Sequence, residues 1–431
     1  MPLSELLYGG LLRGFRVASP LLAHGDSKLA RGVRGRREAV RRLVSWAARE
    51  RRPATPLVWL HAPSVGEGLQ ARAVLEALRA EAPDVQTVFT HFSPSAEALA
   101  ARMPADVAGY LPWDVAGEVG PALDALRPSA LAFTKTEVWP VLAREASARG
   151  VPCVLIAGTL PEGSSRLSPL ARAFLRPAFS RLAAVHATHE EDRARFARLG
   201  VPSERVVVTG DPGIDSAAER ARAADPAAPY LRVFPAERPR LVAGSTWPAD
   251  EAVLLPAIAR VRERVRGFEV VIAPHEPSPA RVSELVGRMR AGGWRAAPLA
   301  EVEGEGRGGH ADAVVVDRVG ILAHLYTVAS AAYVGGGFHR HGLHSVLEPA
   351  AAGVPVCFGP RHGNARAASD LLAAGGAAVV GDAAALAETL SRWLEDGEDR
   401  SHAGGAAAGY IERHRGAARR SAGWLLGLLP G

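Results

Sequence analysis

The sequence predicts an α/β fold of two doubly wound domains, and three observations carry the prediction. Short, near-continuous apolar runs alternate with longer amphipathic stretches. The alternation stops once, over residues 216–239, and then restarts. At roughly 100 to 200 residues per domain, a chain of 431 residues has the length for two or three domains. Apolar runs without polar alternation belong to strands covered on both faces, the environment of a parallel sheet flanked by helices.

In chain order, residues 1–52 form a basic segment of their own. They hold twelve Lys/Arg against four acids, a local +8 in a chain of net charge +6, which leaves −2 on the rest. A basic excess confined to one end points to a local anionic partner and argues against a nucleic-acid-binding body. The apolar stretch at its start is broken by Gly9, Gly10, Arg13 and Arg16. It makes neither a good secretory signal nor a spanning helix, which needs roughly 18 apolar residues. Tyr8, Leu11, Leu12 and Phe15 follow i, i+3, i+4, i+7 spacing with Arg13 and Arg16 off the stripe. This pattern fits a helix lying on a lipid surface, and equally a helix packed on its own domain.

Residues 53–215 read as a first α/β domain, with strand candidates at 56–61, 84–90, 130–134, 152–157, 183–188 and 205–210 and helical stretches such as 66–79 between them. Residues 216–239, rich in Ala, Pro and charge, read as a linker. A second α/β domain follows over 240–402, with strand candidates at 240–245, 268–274, 313–317, 331–336, 354–359 and 377–380. The last segment, 403–431, reads as a helix that closes one domain or the other. Cys153 and Cys357 are too few for a disulfide framework or a zinc cluster, so a reducing compartment is the default. Two such domains place a ligand cleft at the carboxyl ends of their strands.

Four constellations follow strands. In HAPSVGEG (61–68) the small residues let the chain turn sharply, and Glu67 falls in the first turn of a helix, as a general base or as a complement to the helix dipole. In TKTEVWP (134–140), Glu137 and Trp139 either face one way from an extended stretch or mark a helix start with Trp139 in the core. In VAGSTWPADE (242–251), Gly244, Ser245 and Thr246 precede an acid-started helix. That arrangement holds an anion, or simply caps a helix with Asp250 and Glu251. VGGGFHRHGLHSVLEP (334–349) is the richest. Three glycines permit close approach to a phosphate, or form only a loop after a strand; His339, Arg340, His341 and His344 can donate to such a phosphate, and Glu348 can accept from ribose hydroxyls. The histidine spacing lacks the Cys or paired carboxylates of a metal site, and no Walker A lysine is present.

Taken in order, these segments resemble the 3-deoxy-D-manno-octulosonic acid (Kdo) transferases of lipopolysaccharide synthesis. The resemblance runs from Ser27 to Ala368 through HAPSVGE, YLPWD (110–114), TEVWP, ATHEEDRARFARLG (187–200), AGSTWPADE, APHE (273–276), DRVGILAHLY (317–326) and GGGFHRHGLHSVLEP. It implies the GT-B glycosyltransferase architecture, two Rossmann-like domains facing a central cleft. It implies an inverting transfer of Kdo from CMP-Kdo to a phosphorylated lipid A precursor, with no metal and no cofactor, at the cytoplasmic face of the inner membrane. Under the resemblance Glu67 is the catalytic base, with Ser64, Gly66, Glu137 and Trp139 on the acceptor side. Ser245, Thr246, His275, Gly335, Gly336, Gly337 and His344 serve the CMP donor, and Glu348 holds its ribose. The basic N-terminus then faces an anionic membrane surface, and no nucleic acid is involved.

The chain departs from the family pattern at Lys135, where many members carry an acid, and at His275, where an arginine is usual. Gly213 stands for an expected lysine and Ser345 for an expected asparagine. These changes describe a divergent member. Two other classes compete. Another GT-B enzyme using UDP- or CMP-linked sugars in cell-envelope glycan synthesis would share the glycine loop and Glu348 without needing HAPSVGE or EVWP. A non-catalytic anionic-lipid-binding protein would explain the N-terminus alone.

Overall fold

Each stretch of alternating apolar runs closes into one seven-stranded parallel sheet in the computed structural model, which describes residues 3–25, 27–235, 238–305 and 311–429. The chain divides into two units, Met1–Ser216 with Arg415–Gly431, and Ala217–His414. The first sheet contains β1 (Leu57–Ala62), β2 (Gln86–His91), β3 (Val107–Tyr110), β4 (Ala130–Thr134), β5 (Cys153–Gly158), β6 (Leu182–Ala187) and β7 (Val206–Val208), in the order β3-β2-β1-β4-β5-β6-β7. The second contains β8 (Arg240–Thr246), β9 (Glu269–Pro274), β10 (Ala296–Pro298), β11 (Ala313–Val315), β12 (Ala331–Val334), β13 (Val356–Phe358) and β14 (Ala377–Val379), in the order β10-β11-β9-β8-β12-β13-β14.

The central strands are apolar on both faces because both faces are covered. Along β1, Leu57 and Trp59 join Leu131, Phe133 and Leu155 in one layer, while Val58, Leu60 and Ala62 join Ala132, Val154 and Ile156 in the other. Each fully buried Leu, Ile, Val or Phe contributes about 1.5–3 kcal/mol, so the two layers are the main stabilising term of this unit. The order of strands reverses between β1 and β4 in the first sheet and between β8 and β12 in the second. His61 pairs in register with Phe133, and Gly244 with Val334. These reversals are where loops diverge to opposite faces and leave room for ligands outside the carboxyl ends.

Helix α2 (Lys28–Glu50) corrects the reading of residues 1–52 as a membrane-associating segment separate from the first domain. Ser27 caps it by accepting from the Ala30 amide at 3.1 Å. Its apolar face buries Leu43 and Trp46 in the core of the first sheet. Arg36, also buried, places its guanidinium 3.6 Å above the Phe92 ring and donates to the Phe92 carbonyl at 2.6 Å. The arginines of α2 therefore decorate an integral part of the unit. Met1, Pro2 and Asp26 of this segment lie outside the described residues.

The preceding α1 (Leu3–Ala18) does not use its predicted stripe as one face. Tyr8 packs edge-on against Phe174, Phe15 against Trp113, and Leu12 beside Val33 and Trp113. Leu11 is left 76% exposed, with Leu7 and Val17 also exposed. Asp114, buried at the start of the helix Pro140–Ala148, accepts from the Val141 and Leu142 amides and bonds the Tyr8 hydroxyl, tying α1 to the unit.

The division between the units falls at Ser216/Ala217, at the start of the stretch read as a linker, and this stretch is helical in part: it begins inside the helix Pro212–Arg222, and a further turn, Pro229–Arg232, buries Leu231. Residues 236–237 lie outside the described residues. The single C-terminal helix is two, Gly397–His414 in the second unit and Ala417–Leu426 in the first. Gly416, at φ +92°, breaks them, and Asp215 accepts from the Gly416 and Ala418 amides at 2.6 and 3.0 Å to start the last helix. Ala418, Ala422 and Leu425 then pack on α3 (Val65–Glu81) beside Val74, Leu75 and Leu78. Residues 430–431 lie outside the described residues.

Candidate active site

The first unit's site forms around the reversal between β1 and β4. After β1 the chain turns at Pro63 and Ser64, and α3 begins at Val65, so Glu67 stands in its first turn as the spacing predicts. The Ser64 hydroxyl donates to one carboxylate oxygen of Glu67, and Lys135 Nζ lies 3.1 Å from the other. Burial alone raises the Glu67 carboxyl, but the Lys135 ammonium and the Ser64 hydroxyl outweigh it, and the group ends below the usual carboxylate range. Glu67 is therefore ionised at neutral pH, and more than a dipole complement: it is paired with a cation from the turn after β4. Gly66 beside it faces open space, since a Cβ there would meet nothing within 4 Å.

Beyond β4 the chain forms a turn over Lys135 and Thr136, and helix Pro140–Ala148 starts directly after Trp139. Glu137 is partly exposed and accepts from Arg166 Nη2 at 2.5 Å. Trp139 instead packs against the core, tilted on Phe92 at 4.9 Å and edge-on to His61 at 5.8 Å, its indole N–H without a partner. The two side chains thus do not form one extended face, and the helix start is what the structure adopts. His61, fully buried, is pushed down to about 3 by burial and is a neutral wall of this site.

In the second unit the corresponding reversal lies between β8 and β12. Asp250 and Glu251, readable as first-turn capping acids, are both fully buried and do much more. Asp250 accepts from the Trp247 and Gly336 amides at 2.9 and 2.8 Å, from the Tyr333 hydroxyl at 3.0 Å and from the Phe338 amide at 3.3 Å. Glu251 accepts from the Thr246 hydroxyl at 3.1 Å and from Arg281 and Arg288. The Thr246 hydroxyl proton is therefore committed inside the protein.

The glycines after β12 are required by the protein itself. A Cβ on Gly335 would lie 2.3 Å from the Ser245 carbonyl oxygen, one on Gly337 2.4 Å from the Gly359 nitrogen, and Gly336 adopts φ +95°. The Gly335 amide donates to Gly244 and the Gly336 amide to Asp250. These two N–H groups are already used, which leaves both glycines to shape the pocket wall rather than to cradle a phosphate.

Trp247, which no local sequence signal marks, is the hub of the residues gathered in the second unit. His275 stacks on it at 4.5 Å and His339 at 4.3 Å, and its indole N–H donates to His344 Nε2 at 3.0 Å. His275 also stacks on His344 at 4.5 Å. His344 is pushed down to about 4 by burial, then by the neighbouring imidazoles, so it is neutral and offers its Nδ1 hydrogen. Among the described residues no three His, Cys, Asp or Glu side chains gather as metal ligands. Glu348, in the first turn of Leu347–Ala351, accepts from Arg220 Nη1 at 2.6 Å, a partner 128 residues away that the sequence does not announce. The structure thus brings Ser245, Thr246, His275, Gly335, Gly336, Gly337 and His344 together around β8 and β12, with Glu348 following on the next helix.

Comparison with known proteins decides the family. Residues 37–216 match the family model described as 3-Deoxy-D-manno-octulosonic-acid transferase (kdotransferase). A 3-deoxy-D-manno-octulosonic acid transferase of Bordetella pertussis is 30% identical over 87% of this chain and 88% of its own length. One from Chlamydophila psittaci is 30% identical over 80% of this chain and 79% of its own length.

The chain belongs to the Kdo transferase family.

It is accordingly a glycosyltransferase of lipopolysaccharide biosynthesis. Among solved structures, the UDP complex of MnaA from S. aureus superposes with a TM-score of 0.60 at 11% identity, covering 87% of this chain and 98% of that one. A glycosyltransferase from Rickettsia africae does so with a TM-score of 0.56 at 10% identity, covering 87% and 99%. That likeness concerns the fold: this Kdo transferase has the two Rossmann-like units of the GT-B class.

Proposed function

We propose that this Kdo transferase takes Kdo from CMP-Kdo and adds it to a phosphorylated lipid A precursor of the lipid IVA type, with inversion and without a metal. The observation that carries the reading is the ionised, partly buried Glu67 at the carboxyl end of β1, at the reversal point of its sheet. An acceptor hydroxyl attacks the anomeric carbon of Kdo as its bond to the phosphate oxygen of CMP breaks. Glu67 takes the hydroxyl proton, and CMP leaves with the bonding electron pair as a phosphate monoester. Ser64 aims the carboxylate, while Glu137 and Trp139 border the acceptor. On the donor side Ser245, Thr246, His275, Gly337 and His344 surround the phosphate, Gly335 and Gly336 give the wall its shape, and Glu348 takes the ribose. The test is a mass-spectrometric assay of the purified protein with CMP-Kdo and a tetra-acylated lipid A precursor. A product heavier by one or more Kdo units is expected. No transfer from CMP-Kdo, beside transfer from a UDP-sugar, would assign the chain to another envelope glycan.

Gly66 supplies a second check. Because its Cβ space is empty, Gly66→Ala is expected to leave stability unchanged or raise it by up to about 1 kcal/mol, since alanine is the better helix former. Gly66→Leu, filling the space beside Glu67, is expected to raise the KM for the lipid acceptor at an unchanged melting temperature. An unchanged KM would place the acceptor elsewhere.

We further propose that the enzyme works peripherally on an anionic membrane at the cytoplasmic face. Leu7, Leu11 and Val17 of α1 and Leu170 and Phe174 of the helix Pro169–Phe179, which meets α1 through the Tyr8–Phe174 contact, are exposed apolar side chains next to a basic segment. No described helix is long and apolar enough to cross a membrane. Leu11→Ser with Leu170→Ser is expected to reduce sedimentation with phosphatidylglycerol vesicles several-fold without lowering the melting temperature. Full retention on the vesicles would remove this surface from consideration.

A further inference from the structure

Among the described residues only four other than glycine have positive φ: Arg127, Lys135, Ala157 and Ser245. Two of these stand at the reversal points, Ser245 after β8's glycine and Lys135 directly after β4. Lys135 adopts φ +65°, a left-handed conformation that costs an ordinary side chain on the order of 1 kcal/mol. The strain is held by its amide, which donates to the Ile156 carbonyl at 2.8 Å. Its consequence is directional. The turned chain carries the lysine back to β1's side of the reversal, where Nζ meets Glu67 Oε1 at 3.1 Å.

An ordinary surface ion pair is worth little, because both partners keep their water. This pair is unequal: the Lys135 side chain is half exposed, whereas Glu67 retains only 16% of its side-chain exposure. Burial of such a carboxylate opposes its ionisation, and a counter-charge beside it opposes that effect. From its own helix it receives the Ser64 hydroxyl, which carries no charge. From β1, His61 is neutral; from the loop after β4, Glu137 is turned to Arg166. Lys135 is the charge from another element that acts on Glu67.

We propose that Lys135 is a positioning residue for the transfer reaction, its ammonium fixing the Glu67 carboxylate in one orientation. It does so at the position where the family resemblance implies an acid, so the divergent member supports its base by a different arrangement of charge. The proposal rests on Glu67 being the base.

The sign of the pH effect follows. Glu67 accepts a proton only when ionised, so the acid limb of kcat/KM reports its titration in the free enzyme. With the ammonium gone, burial is opposed by Ser64 but no longer by a cation, and the limb moves to higher pH. Lys135→Met and Lys135→Asn both remove the charge; asparagine also tolerates the left-handed backbone, so a folding loss confined to the methionine variant does not cost the test. Both are expected to shift the acid limb upward and to lower kcat on the plateau roughly 10-fold for a less well-aimed base. Lys135→Arg is expected to keep the wild-type limb. An acid limb in Lys135→Asn that coincides with wild type, beside a Glu67→Gln variant that has lost turnover, overturns this proposal alone. A wild-type rate in Glu67→Gln overturns the assignment of the base and this proposal with it.

Discussion

Glu67→Gln is expected to lower turnover by roughly 100-fold or more, the usual contribution of a positioned general base. The substitution keeps the length of the side chain and an oxygen for the Ser64 hydroxyl, so the start of α3 has no reason to change. What it removes is the ability to take a proton and the ionic partner of Lys135. The loss of an ion pair whose lysine is half exposed is a small stability term, so the melting temperature should move little. CMP binding is a separate readout, because Ser245, Thr246, His275 and His344, the residues proposed for the donor, belong to the second unit. The thermal upshift produced by CMP should therefore equal that of the wild type. Turnover measured with CMP-Kdo and the lipid acceptor separates the two properties. Loss of both would make Glu67 a structural residue, and loss of neither would move the base elsewhere.

What the sequence disclosed, and what it withheld, follows from whether the signal is local. The long central strands were legible because burial on both faces writes an apolar run, as in Val-Trp-Leu at 58–60 or Val-Val-Ile at 270–272. The two strands that left no readable run, β3 and β10, have four and three residues and lie at the edges of their sheets. Edge strands are covered less and need fewer apolar residues. Glu67 was legible as a first-turn acid after a strand. Its pairing with Lys135 was not, since 68 residues separate them and only the placement of β4 beside β1 joins them. Arg220 with Glu348 is invisible for the same reason, and the sequence leaves open which unit the last helix closes. Trp247 reads locally as an aromatic before a Pro-started helix. Its role appears only when the loops after β9 and β12 bring four histidines, His275, His339, His341 and His344, to its ring. The acids that follow it show how far a local reading goes. Asp250 does cap its helix, through the Trp247 amide, but the same carboxylate also holds a turn 86 residues later.

That double duty makes Asp250→Ala the substitution with the largest expected structural effect. The wild-type carboxylate is fully buried and accepts from the Trp247, Gly336 and Phe338 amides and from the Tyr333 hydroxyl. Alanine leaves these donors without an acceptor in a site that admits little water, and each stranded buried donor costs about 1–3 kcal/mol. Relaxation of the turn recovers part of the sum, so a net loss of about 3–5 kcal/mol is expected, comparable to stripping one partner from a buried charged pair. Asparagine is not a conservative replacement, because its amide nitrogen would face N–H groups that it cannot accept from. Tyr333→Phe is the calibrating variant: it removes one donor and keeps the acceptor satisfied by the other three, so it should cost about 1 kcal/mol. The functional consequence follows from the glycines. Gly335 and Gly337 sit with no room for a Cβ against the Ser245 and Gly359 backbones, and the Asp250 bond to the Gly336 amide fixes the turn between them. Releasing that bond should loosen the wall that His275 and His344 share with Ser245. Asp250→Ala should therefore lose the CMP-induced thermal upshift, while Tyr333→Phe keeps it. Urea unfolding measures the first effect and a CMP titration the second. A CMP upshift that survives Asp250→Ala at wild-type size would mean that the glycine turn takes no part in holding the donor.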